Sequence, residues 1–217
     1  MTTWDELKVI LARLRAQDPN PLMLYPGPEI DHDRHPPFGL RLAAWAEDIA
    51  RDLHERFGAD VRLRVGALDY PERSRAEPRY VQPTEDLSEQ EFRVELEGPL
   101  TVRSGHTAQL QLLITNLTGT EYTMSSNGEL TARVLDPATG RVVGGYTGMH
   151  RLNLVTTRLA AGETRAIRLV TGTDSYLPEL GYAVPPGQWT VDTVLPVSDG
   201  REGRALRTPA LPITVID

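Results

Sequence analysis

The sequence predicts an α+β chain in two unlike halves, a helix–helix–strand module in front and an antiparallel β-sandwich behind. Three observations carry this. Apolar residues recur every third or fourth position up to about residue 57 and every second position from Phe92 onward. Turn signals then punctuate the second stretch every ~10–15 residues. The boundaries that follow are a small α/β module over 1–69, a Pro-, Glu- and Arg-rich linker or strap over 70–90, and the sandwich over 91–217.

Thr3 and Glu6 form a capping box, each side chain able to take the other's backbone amide. Trp4, Leu7, Leu11 and Leu14 fall on one face of a first helix, which Asp18-Pro19-Asn20-Pro21 ends. Leu22 to Tyr25 reads as a short strand, and the stretch to Pro36-Pro37 holds too many prolines for regular structure. A second helix is expected from about Phe38 to Phe57, because Leu42, Trp45, Ile49, Leu53 and Phe57 stand three or four apart. Glu47 with Arg51, and Asp52 with Arg56, are acid-before-base pairs four apart on its wet side. Gly58 stands where a helix ends. Val61-Arg62-Leu63-Arg64-Val65 then alternates strictly, with the apolar residues inward and Arg62 and Arg64 outward. A lone strand cannot satisfy its own backbone groups. This one must pair with Leu22–Tyr25, with an edge of the sandwich, or with a second copy of the chain, and the last option would make a homodimer.

From Tyr70 to about Gln90 the sequence is dense in Pro, Glu and Arg and reads as an extended surface strap. Phe92-Arg93-Val94-Glu95-Leu96 opens the alternating half, followed by Leu110, Leu112 and Ile114 and by Leu130, Ala132 and Val134. Asp136-Pro137-Ala138-Thr139-Gly140 is a hairpin turn, with Gly140 supplying the positive φ. Further strands are expected at Arg165–Val170, at Trp189–Leu195 after the Pro185-Pro186-Gly187 turn, and at Ile213–Ile216. The count is roughly seven to nine strands.

The turns carry a resemblance. Thr115-Asn116-Leu117-Thr118 ending an early strand, Val134-Leu135-Asp136 through Gly140-Arg141-Val142, Leu159 through Gly162-Glu163, and Pro185-Pro186-Gly187-Gln188-Trp189 before a late strand are similar to the immunoglobulin-like sandwiches of bacterial proteins. More specifically they resemble the intracellular proteinase-inhibitor family. The resemblance covers the C-terminal half only. It implies an immunoglobulin-like fold and, by fold analogy, protease inhibition as one version of a protein-binding role, and it transfers no inhibitory loop.

Composition narrows the function. The 217 residues include no Cys, which excludes thiolate metal sites, disulfides and Cys nucleophiles. A net charge of −7 argues against sequence-independent nucleic-acid binding. No apolar run reaches the length of a membrane span, and Met1-Thr2-Thr3-Trp4-Asp5-Glu6 lacks a secretory n-region, so no membrane association and a cytoplasmic location are expected. No nucleophile elbow, P-loop or dinucleotide fingerprint occurs, so neither a catalytic residue nor a cofactor is assigned.

The expected role is non-catalytic protein–protein interaction with a partner of unknown identity, through sandwich loops or the front module. Arg62 and Arg64, on an exposed strand face, and Tyr176 and Tyr182, in a loop rich in apolar groups, are the candidate contact residues, although the plainer readings are a solvated strand face for the arginines and ordinary core under the sandwich end for the tyrosines. The competing reading is a metal-binding protein or metal-dependent enzyme. Asp31, His32, Asp33 and His35 gather imidazoles and carboxylates, with His54 as a further nitrogen, although a proline-rich loop fixes no ligand geometry. The plainer reading of that segment is a solvated polar loop. A carbohydrate-binding sandwich is a third class and requires aromatic residues on an exposed sheet face, but only 6% of residues are aromatic and Trp189 sits in a strand pattern that suggests burial. Asn116-Leu117-Thr118 matches a glycosylation sequon and reads more simply as a strand-end turn.

Overall fold

The computed structural model describes residues 38–74, 90–98, 101–127, 130–148, 154–197 and 204–217, together with Val9, Ala12, 23–25 and 85–86. The described residues are mostly β, 56% strand against 12% helix, which corrects the α+β expectation. The helix–helix–strand module is not what the described N-terminal residues form. They form a four-stranded sheet in the order β1 (Met23–Tyr25), β2 (Phe38–Leu42), β3 (Val61–Val65) and β4 (Leu68–Tyr70), with one helix, α1 (Glu47–Phe57), between β2 and β3. Of the first expected helix, only Val9 and Ala12 are described, and both are helical.

The error lay at Phe38. Residues 38–42 are a strand because Leu40 and Leu42 turn inward while Gly39 and Arg41 lie on the other face. Leu42 also stands three before Trp45, so one apolar residue serves both periods. Helix α1 begins only after the turn at Ala43–Ala46, where Glu47 and Asp48 place negative charge at the positive end of the helix dipole. It buries Ala50 and Leu53 on the sheet and stops at Gly58, with φ 52°. Strand β3 pairs parallel with β2, Leu40 opposite Leu63, and antiparallel with β4, Val65 opposite Leu68. Its backbone is satisfied within one chain, so pairing does not call for a second copy. Strand β1 shares the sheet but pairs with β2.

The remaining strands build one long curled sheet and two small ones. The curled sheet runs β6 (Phe92–Glu97), β8 (Thr107–Asn116), β13 (Thr164–Gly172), β10 (Leu130–Leu135), β15 (Gly187–Asp192), β18 (Leu211–Ile216) and β7 (Thr101–Arg103), with β11 (Val142–Gly145) and β14 (Asp174–Ser175) attached through β10. Strand β10 makes the curl. Its first half lies parallel to β13, Leu130 opposite Leu169, and its second half antiparallel to β15, Val134 opposite Val191. The small sheets are β9 (Tyr122–Asn127) with β12 (Leu154–Leu159), and β16 (Val194–Val197) with β17 (Arg204–Arg207) and β5 (Glu85–Asp86).

The expected all-antiparallel sandwich is thereby corrected too, since β10–β13, β7–β18 and β5–β17 are parallel. Alternation reports which face is buried and is silent on the direction of the partner. Only tight hairpins force antiparallel pairing. The Asp136 turn does so, with its carboxylate accepting from the Ala138 amide at 2.9 Å and the Thr139 hydroxyl at 2.9 Å, and Gly140 at φ 67°.

Inside the curl, Phe92, Leu110, Leu112, Ile114, Met124 and Leu159 are fully buried, each contributing roughly 1.5–3 kcal/mol from burial alone. The Phe92 and Tyr122 rings meet edge to face at 4.8 Å. A second cluster, of Leu40, Leu42, Leu53, Leu63, Val65 and Leu68, lies between α1 and its sheet, and Tyr182 from the C-terminal half packs into it. The two bodies meet closely at Gly105, φ 72°, where an added Cβ would lie 2.6 Å from the Trp45 amide nitrogen. Glycine is required there on both counts.

Candidate functional site

The seam between the two bodies opens into a cleft of about 430 Å3. Four separate stretches of chain line it. Strand β2 and the turn after it supply Arg41 and Trp45, the β7–β8 turn supplies His106, the segment after β11 supplies Tyr146 and Thr147, and β14 supplies Asp174.

Asp174 is buried and ties the seam together. Its Oδ2 accepts from the Thr147 amide at 3.2 Å and from the Thr147 hydroxyl. The Ala44 amide also donates to this carboxylate. Arg41 Nη1 donates to the Thr147 carbonyl at 3.0 Å, closing the network from the opposite body. Burial pushes the Asp174 carboxyl up to about 6, against the pull of these donors and of the Arg41 charge. Desolvation therefore outweighs the hydrogen bonds here.

His106 forms the other wall. Its Nδ1 donates to the Ser104 carbonyl at 2.8 Å, and its ring stacks on Trp45 at 5.9 Å and 21° between planes. Its backbone amide donates to Thr173 Oγ1 at 3.1 Å, and the Thr173 hydroxyl in turn donates to the Arg103 carbonyl at 2.7 Å. The imidazole is thus fixed in place by both ring and backbone. Gln109, three residues along β8, extends this wall outward.

The residues singled out from sequence lie elsewhere. Asp31, His32, Asp33 and His35 fall outside the described residues. His54 sits on α1 with its ring edge-on to Tyr70 at 5.6 Å. Among the described residues no three His, Asp or Glu side chains gather to hold a metal ion. Arg62 and Arg64 share Asp69 on β4, at 3.5 and 2.7 Å. Burial alone would raise the Asp69 carboxyl, but Arg64, Ser74 and Arg62 outweigh it and hold it below the usual range. Tyr176 is 7% exposed and Tyr182 3%. Tyr182 stacks on Tyr70 at 5.8 Å with the Arg73 guanidinium 5.0 Å from its ring centre. The two arginines thus meet at one carboxylate, and the two tyrosines are buried.

Sequence reasoning passed over Trp45, His106 and Asp174. No local motif marks them, since Arg41, His106, Thr147 and Asp174 converge only through the fold. Only the pairing of β11 with β14 sets Gly144 and Gly145 opposite Ser175 and Asp174, so the polar group packed against bare backbone has no signal in the sequence itself.

No family model matches the chain, and no curated protein matches it, so neither comparison supports membership of the proteinase-inhibitor family. Solved structures match at low identity. A CARDB domain from Pyrococcus furiosus, determined in complex with di-metal ions, is 13% identical with a TM-score of 0.32, over 57% of this chain and 91% of that one. A β-glucosidase from Listeria innocua in complex with glucose is 13% identical with a TM-score of 0.35, over 58% of this chain and 16% of the enzyme. A β-glucosidase from Erythrobacter marinus is 10% identical with a TM-score of 0.33, again over 58% and 16%. The chain spans about one sixth of these enzymes. Among the described residues no helix is long and apolar enough to cross a membrane.

Proposed function

We propose that the chain is a non-catalytic binding module and that the seam cleft is its ligand site. One observation supports this above others: the titratable groups of the cleft are already committed to holding the seam. Asp174 is engaged by Thr147 and Ala44, and the His106 ring by Ser104 and Trp45. A general base or nucleophile needs a positioned partner within reach of a reacting atom. Here the carboxylate and the imidazole instead order the walls, which is the arrangement of a pre-formed binding pocket. The role expected of Tyr176 and Tyr182 passes on this reading to the half-buried rings of Trp45, His106 and Tyr146.

A photo-crosslinking amino acid at Gln109 tests the reading, with the same group at the exposed Glu121 as control. A ligand recovered from position 109 alone, with its mass unaltered by the protein, is the expected result. Equal recovery at both positions, or a ligand recovered as a chemically altered product, contradicts it.

A further inference from the structure

The cleft continues past His106. Gln109 also borders a second concavity, on the outer face of β8 and β13, with Gln111, Ala166 and Arg168. The register sets Gln109 opposite Val170 and Gln111 opposite Arg168. Gln109, Gln111, Ala166 and Arg168 are exposed, whereas the alternate residues Leu110, Leu112 and Leu169 are buried. From Thr107 to Gln111 the floor is ~13 Å long, at ~3.3 Å per residue.

The far end of the floor is closed to an added peptide strand. At Gln111, β8 is paired on both sides, with Glu97 of β6 and Arg168 of β13, so its backbone is closed to an added strand. The described large apolar residues that are exposed, Val9, Leu117, Val155 and Ile216, line neither concavity, so the apolar surface on offer is that of half-buried rings at one end. What the trough offers is two carboxamides along β8 with a guanidinium on β13 opposite the second, and half-buried indole and phenol rings at one end. Carboxamides donate and accept in one plane, a guanidinium donates in a fork, and aromatic rings take apolar faces with polar rims. Vicinal hydroxyls on a ring with apolar faces meet all three demands.

We infer that the trough binds a short, uncharged chain of sugar rings, with Gln109, Gln111 and Arg168 reading its hydroxyls and Trp45 and Tyr146 seating one ring at the seam. This rests on the cleft being the ligand site. Calorimetric titration of the whole chain with linear neutral tetrasaccharides of glucose, xylose and N-acetylglucosamine tests it. One series binds, and Gln109→Ala with Gln111→Ala weakens that binding by at least about tenfold, the loss expected for two hydrogen-bonding groups. Both substitutions are on an outward face, so the melting temperature stays unchanged. Gln188→Ala, whose partner is Thr214 on β18, leaves binding intact. No binding of any of the three sugars, or undiminished binding by the double variant, overturns the inference. A displayed peptide library separates the two levels. Peptides that bind and are lost on Tyr146→Ala, with no sugar binding, sink the sugar inference and leave the ligand site standing, while no binding of either class sinks both.

Discussion

Strand β8 is closed at its two ends in different ways. At the C-terminal end stands Asn116, fully buried, whose amide nitrogen faces the carbonyls of Thr120, Leu159 and Ala160 at 2.8, 3.0 and 3.1 Å. Its amide oxygen accepts from the Thr118 amide at 2.9 Å and the Thr118 hydroxyl at 2.6 Å. At the N-terminal end the seam is held by Asp174, a buried acid engaged by a hydroxyl and two backbone amides, with Arg41 bound to the Thr147 carbonyl behind them. Both ends solve the same problem, satisfying loop backbone beside a core. One uses a neutral side chain and the other an ionisable one. Between pH 5 and 8 the Asn116 side chain has no proton to gain or lose, whereas the Asp174 carboxyl, at about 6, does.

Four measurements break or sharpen this contrast. Asn116→Ala removes the side-chain donor to the buried Leu159 carbonyl and the acceptor of the Thr118 amide, while the Thr120 and Ala160 carbonyls keep the Thr118 hydroxyl and the Glu163 amide. It is expected to cost about 3 kcal/mol, read as a lower urea midpoint at every pH between 5 and 8. Gly105→Ala forces a side chain into the left-handed region and against the Trp45 backbone. It costs about 2 kcal/mol and shows as early hydrogen exchange confined to the seam.

The third measurement is of acid linkage. The folded Asp174 carboxyl titrates near 6, above its unfolded value of 3.8. The folded state therefore takes up a proton the unfolded state lacks as pH falls through 6. Stability rises on acidification, is fully gained below the unfolded value, and is lost again as pH climbs through 6. Between pH 7 and pH 5 the gain is roughly 1 kcal/mol, and Asp174→Asn flattens it. An unchanged pH slope in that variant would remove Asp174 from the account. Asp69 behaves oppositely. Its carboxyl is held below the usual range, so what it contributes is present at neutral pH and lost in strong acid. Asp69→Ala is the smallest effect, about 0.5 kcal/mol in low salt, as befits a partly exposed pair, and fading in high salt.

The sequence was legible where one residue speaks to one neighbour. Alternation placed β3 and β6, Gly58 ended α1, and Asp136 with Gly140 marked its hairpin, because each signal is local and each is satisfied locally. Phe38–Leu42 was misread because Leu42 fits a helical and a strand period equally, and only the parallel ladder to β3 decides between them. The curl of the large sheet was illegible for a related reason: β10 divides its two halves between β13 and β15, and nothing in Leu130–Leu135 states that division. The cleft was the least legible part. Arg41 and Thr147 are 106 positions apart along the chain, and Thr147 and Asp174 27 apart. Residues with no local motif became a site only through tertiary closure.

Asn116 belongs to an Asn-Leu-Thr triplet, the mark that oligosaccharyltransferase reads on chains entering a eukaryotic secretory pathway. In the finished protein that nitrogen is sealed from any enzyme. During synthesis it is not, and a glycan attached then would permanently occupy the group that must later reach three carbonyls. The yield of native protein from a secreting host is therefore set by a race between strand closure and sugar transfer, a race that a bacterial cytosol never starts.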